Sequence, residues 1–142
     1  MSEASETKSL LEFLAENPVD DLKEQVIVSK RLKKYPFTVT AMTGEQFSTY
    51  QNKATIIGKK QKIDYDNKCF NEQVVLNHVV EDDGRPFFKL QDNIKKVGCK
   101  TPEEFLYRFL TAGEIVELVS KISALSGFDV DEEEMAKEVK KA

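Results

Sequence analysis

The 142-residue sequence contains no tryptophan, a single histidine and only two cysteines. Each scarcity removes a class of function. Cys69 and Cys99 are too few for a disulfide framework and too isolated for a zinc site, so both read as reduced, half-buried thiols. A nucleophile needs a base within hydrogen-bond reach. The one base of the usual kind, His78, sits in "VVLNHVV" with no Ser or Cys close by in sequence. It reads as a structural histidine. Long apolar runs are also missing: none approaches the roughly 20 residues a membrane span needs. "MSEASETKSLLEF" lacks the basic-then-apolar order of a secretory signal, so export is not expected. The six glycines are scattered singly. "IIGKKQK" is not the Gly-rich turn between strand and helix that cradles a phosphate.

Two acidic stretches invite a metal reading, "DYDN" (Asp64 to Asn67) and "EDDG" (Glu81 to Gly84). A calcium loop needs oxygen ligands at alternate positions, a Gly for its turn and a distant bidentate Glu. In "DYDNKCFNE", Lys68 and Cys69 stand where a ligand and the Gly should be. Both stretches read as turn and cap residues instead. No catalytic residue, metal or cofactor is assigned, and an enzyme is the least favoured class.

What the chain does have is charge and helix punctuation. Charged residues make up 32% of the sequence and hydrophobic ones 40%, the balance of a globular protein. The net charge of -4 hides an asymmetry. From Lys23 to Lys62 there are nine basic residues and two acidic ones, leaving -11 for the remainder. A basic face of this kind can serve nucleic acid, self-association or an acidic partner. It is read first as a solvated face balanced by acidic helices of the same chain. The aromatics in "SKRLKKYPF" are sparse and no nucleic-acid motif accompanies them.

"SLLEFLAENPV" is a short helix with Leu10, Leu11 and Leu14 one turn apart, closed by Pro18. Val26, Ile27 and Val28, then Phe37, Val39 and Ala41 alternating with threonines, predict an antiparallel hairpin turning near Lys33 to Pro36. Helix starts are then marked repeatedly. Thr43 with Gln46, Thr111 with Glu114 and Asp131 with Glu134 have capping-box spacing, and Thr101 is followed by Pro102 and Glu104. Phe47, Tyr50 and Ala54 form one helical stripe; Ile115, Leu118, Val119, Ile122 and Leu125 form another. Gly127 suits the left-handed position after that helix, with Phe128 folding back on Ile122. "FFKLQDNIKKVG" predicts a helix ended by Gly98. "GKKQKIDYDN" is a connector or a weak extra strand, and "NKCFNEQVVLNHVV" (67–80) reads first as a helix, although Val74, Val75, Val79 and Val80 also suit a strand and period alone does not decide. The expected fold is α+β: a mostly helical single domain with one small antiparallel hairpin at about residues 25–42. Residues 1–8 are expected to be disordered, 9–128 to form the domain, and 129–142 a short charged helix.

The run of "LLEFLAENPV", "VSKRLKKYPFTVTAMTGEQFSTYQ", "FNEQVVLNHVVED" and "TPEEFLYRFLTAGEIVELVSKISALSGFD" resembles the XkdN-like phage tail assembly chaperones, including those of defective Bacillus prophages. The likeness runs from about Leu10 to Phe128, and "LTAGEIVELVSKISALSGF" is its most specific piece. The resemblance implies a non-enzymatic protein of the bacterial host cytoplasm. It would bind the long helical tape measure protein, keep it soluble while the tail forms, and be absent from the finished particle. The tail tube protein and a second copy of the chain are further candidate partners. Exposed apolar side chains the domain does not need would carry such binding, and Phe87, Phe88, Met135 and Val139 are the candidates. The competing readings are a small nucleic-acid-binding protein using the Lys23 to Lys62 face and a structural tail component.

Overall fold

The computed structural model describes residues 9–57 and 63–128. The expectations for residues 1–8 and 129–142, including the Asp131 cap, lie outside the described residues. Among the described residues six α-helices and a small three-stranded antiparallel sheet form an α+β fold, as the sequence pattern predicts. Helix α1 (Leu10–Glu16) leads through a 3-10 turn at Val19–Asp21 into strand β1 (Lys23–Val26). Strand β2 (Phe37–Thr40) pairs antiparallel with β1, with Lys23 opposite Thr40 and Val26 opposite Phe37. The hairpin is therefore real, but its strands are shorter than expected. Pairing stops at Val26, and residues 27–36 form a long basic connector rather than a tight turn. The four charged side chains of "SKRLKKYPF", Lys30, Arg31, Lys33 and Lys34, favour solvent over a ladder.

Helix α2 (Gly44–Ala54) starts at a complete capping box. The Gln46 N–H donates to Thr43 Oγ1 at 3.0 Å, and the Thr43 N–H donates to Gln46 Oε1 at 2.9 Å. Tyr50 and Ala54 are buried on its inner stripe. Within the charged segment after it, Ile63–Tyr65 do form an extra strand, β4, which pairs antiparallel with β3 (Thr55–Ile57). Asp66 then caps helix α3 (Asn67–His78), its side chain accepting from the Cys69 N–H at 3.1 Å. The helix-or-strand ambiguity of residues 67–80 resolves as both in succession. The chain passes from α3 directly into β5 (Val79–Val80), which pairs with β2 as the third strand. Four valines in that stretch suit either state, and pairing with β2 decides where the helix ends.

Phe87–Lys89 is a 3-10 turn, and the helix that follows it, α4 (Gln91–Lys96), is shorter than "FFKLQDNIKKVG" suggests. Gly98 does close it, at φ 75°, a left-handed angle that a Cβ disfavours. Helix α5 (Pro102–Phe109) is capped by Thr101 with Pro102 in its first turn. Helix α6 (Ala112–Ser123) carries the second capping box, between Thr111 and Glu114. Helix α2 packs on α3, α3 on α6, and α6 on β2. Val39, Val74, Val75, Phe88, Leu106, Leu118 and Ile122 make the driest part of one continuous core. A five-residue π turn, Ala124–Phe128, follows α6 and holds Gly127 at φ 99°. That reversal places the Phe128 ring on Phe47, centroids 4.9 Å apart, where the sequence pattern pointed to Ile122.

Candidate functional site: an aromatic-walled groove

The residues singled out for chemistry are placed first. His78 is only 2% exposed, at the junction of α3 and β5. Its Nδ1 lies 3.1 Å from Thr40 Oγ1 and its Nε2 lies 2.9 Å from the Tyr50 hydroxyl. A ring with one proton donates to one hydroxyl and accepts from the other, so both nitrogens are satisfied. Burial lowers its pKa to about 4; Asp20 opposes that shift and Lys89 adds to it. The same burial raises Tyr50. Neither an acid nor a thiol bonds the ring, and the arrangement does what a neutral structural histidine does.

Glu114 is a buried carboxylate, 1% exposed at the start of α6. Its Oε1 accepts from the Thr111 N–H at 2.8 Å and from Arg31 Nη2 at 2.6 Å. Its Oε2 accepts from Arg31 Nε at 2.7 Å and from Ser29 Oγ at 2.6 Å. The hydrogen bonds from Arg31 depress its pKa to about 2 against the opposing effect of burial, with Ser29 and Thr111 adding to the depression. Arg31 Nη2 also donates to the Phe109 carbonyl at 2.8 Å. One side chain thus ties the 27–36 connector to the end of α5 and the start of α6. Sequence spacing reveals the Thr111–Glu114 box but carries no signal for the distant arginine.

The acidic stretches behave as a cap and a turn except at Asp64, which lies in strand β4 opposite Ile56. Asp66 caps α3, and Asp83 binds Arg85 within the loop, Nε to Oδ2 at 2.6 Å. Among the described residues no group of three His, Cys, Asp or Glu side chains could hold a metal ion. Among them, too, no helix is long and apolar enough to cross a membrane. Cys99 is buried and Cys69 half-buried, the latter donating its Sγ–H to the Lys53 carbonyl at 3.6 Å.

What remains is a groove of about 400 Å³ between the open face of the sheet, the connector and α5. Its floor and walls include Leu32, Phe37, Phe87, Phe105, Phe109 and Leu110. The aromatic wall is a stack of edge-on and tilted rings, with Phe87–Phe105 centroids 5.5 Å apart and Phe105–Phe109 5.8 Å apart. Tyr35 stands at the mouth, 69% exposed, and Phe109 is 40% exposed. Arg31 lies on one rim, Glu81 and Asp82 on another. A concave apolar surface with charges at its edge suits the apolar stripe of an amphipathic helix.

The candidate partner-binding residues divide. Phe87 is partly buried and lines the groove. Phe88 is 0% exposed, so its ring belongs to the core even though it closes the groove floor. Met135 and Val139 lie outside the described residues. Tyr35 and Phe109, the most open aromatics of the groove, were not singled out by sequence pattern. Each reads as an ordinary hairpin or helix residue until the fold brings them to one mouth.

Comparison with known proteins places these features in context. The family model described as phage XkdN-like tail assembly chaperone protein matches residues 10–140. The chain is similar in fold to the crystal structure of the protein YqbN, with a TM-score of 0.61 and 22% sequence identity, covering 87% of this chain and 99% of that one. No curated protein matches.

Proposed function

We propose, from the premise that this chain belongs to the phage XkdN-like tail assembly chaperone family, that it binds the tape measure protein and keeps it soluble during tail assembly. A tape measure protein is a long helical chain with repeated apolar stripes, which would aggregate if left bare. The groove between sheet and α5 is the observation that carries the reading. It offers Leu32, Phe37, Phe87 and Phe109 as an apolar lining for side chains along one face of a helix. The protein performs no bond-making step. It acts in the cytoplasm of the host cell and leaves before the tail is complete.

Co-expression tests this directly. The tape measure protein of the same phage should move from the pellet to the soluble fraction when this chain is present, and should co-purify with it. An unchanged soluble yield at matched expression overturns the proposal. Mass spectrometry of purified tails separates a chaperone, absent from the particle, from a structural component that stays.

A further inference from the structure

Among the described residues, the most exposed large apolar side chains are Leu11 at 77%, Leu10 at 74% and Tyr35 at 69%. The two leucines lie on α1, and Tyr35 lies on the connector 27–36. Helix α1 buries no residue at all, and Phe13 and Leu14 beside its exposed leucines are more than half exposed. A helix of seven residues is too short to hold itself in water by its own hydrogen bonds. Its stability calls for a surface that covers the leucine face.

The charges identify that surface. Residues 9–22 carry no basic residue; of their four acids Glu12 and Glu16 are on α1, where Glu16 already makes an interaction within the chain and Glu12 is exposed, and Asp20 and Asp21 are on the turn after it. Residues 27–36 carry Lys30, Arg31, Lys33 and Lys34 and no acidic residue. Glu114 neutralises Arg31, and the three lysines are exposed. Beside them Ile27 is 52% exposed and lines an open hollow with Val28, Lys30, Lys33 and Glu117 of α6, whose carboxylate lies 3.7 Å from Lys121. Glu12 beside the exposed leucines of α1, and three exposed lysines beside Ile27 on the connector, are complementary in both respects.

Within one chain the two stand at opposite ends of β1, since α1 leads in at Lys23 and the connector leaves at Val26. The path between them is fastened. The Asn17 N–H and Nδ2 both donate to the Phe13 carbonyl, the Leu22 N–H donates to the Val19 carbonyl, and the Leu22 carbonyl accepts from the Ala41 N–H. We propose that α1 docks on the connector 27–36 of a second copy of this chain. Reciprocal exchange of the two helices would satisfy both surfaces in a closed two-fold dimer. The inference does not rest on the identity of the client.

Sedimentation of the full chain, over a concentration series at low and high salt, reads the association. A monomer–dimer equilibrium that weakens with salt is expected. Leu11→Ser with Leu14→Ser touches no buried residue and should weaken it about tenfold or more while leaving the unfolding curve in place. Glu12→Lys in one protein, and Lys30→Glu with Lys33→Glu in another, should each weaken self-association. An equimolar mixture of the two proteins should restore it, because every docked helix then meets an opposite charge. A monomer at all concentrations and salts overturns the proposal, whether α1 stays bare or packs on its own chain. So does a dimer indifferent to these variants, which would place the contact elsewhere in the chain.

Discussion

Arg31 and Glu114 are 83 positions apart, yet the guanidinium meets the carboxylate with two nitrogens, at 2.7 Å and 2.6 Å. The pair is lopsided: the arginine side chain is 52% exposed and the glutamate 1%. Removing the arginine leaves a buried carboxylate that has lost its cation. Removing the glutamate leaves an arginine that water can reach.

The two substitutions should therefore differ. Arg31→Ala is expected to cost the more unfolding free energy of the two, because it leaves the buried Glu114 carboxylate without its cation. Glu114→Gln keeps an oxygen for the Thr111 N–H and should cost about 1–2 kcal/mol. Urea titration of both variants measures the order, and a larger loss for Glu114→Gln contradicts the account.

Acid should loosen the fold in two steps. His78 is held near 4 in the folded protein, against 6.5 for a free imidazole. The unfolded chain therefore takes up the proton first, and stability falls as pH drops from about 6.5 to about 4. Glu114 is held near 2 against 4.5, so its contribution is full above 4.5 and is lost as pH drops towards 2. Unfolding curves at stepped pH check this. His78→Gln should flatten the upper window only, and Glu114→Gln the lower only.

Phe109→Ser tests the groove while leaving every residue of the connector, and the Phe109 carbonyl that Arg31 binds, in place. The ring is 40% exposed and edge-on to Phe105. Stability should fall by no more than about 1 kcal/mol. Soluble tape measure protein should drop severalfold on co-expression, while the salt-dependent dimer stays intact. Loss of the dimer with retention of client binding would invert the two assignments.

Gly127 offers a purely backbone test. A Cβ built there meets nothing within 4 Å, so the cost of Gly127→Ala is the left-handed φ of 99° alone. That is about 1 kcal/mol, with Asn in the same place costing less. A thermal melt of both variants decides it; a neutral alanine would mean the turn readily adopts another shape.

Local features were legible in the sequence because local rules cause them. The boxes at Thr43 and Thr111, the Thr101 cap, the left-handed Gly98 and Gly127 and the helical stripes each depend on residues within a turn or two. The structural reading of His78 rested on its apolar neighbours in sequence. Its two hydroxyl partners, Thr40 and Tyr50, were invisible there because the fold supplies them from 38 and 28 positions away. The groove was hidden for the same reason: Tyr35 and Phe109 share a mouth only once β5 pairs with β2 and α5 lies alongside. Strand length was overestimated at Ile27 and Val28 because β-branched residues also suit an extended connector.

The imidazole at the end of α3 has a consequence beyond its own burial. Strands of two and four residues hold their alignment weakly, since a slip of two positions would bring similar threonines and valines back to the same side. Such a slip would draw Thr40 away from Nδ1 and leave a polar atom stranded in a dry interior. A leucine in its place would tolerate the misalignment. The ring therefore works as a locating pin, excluding the shifted sheet more than it strengthens the correct one.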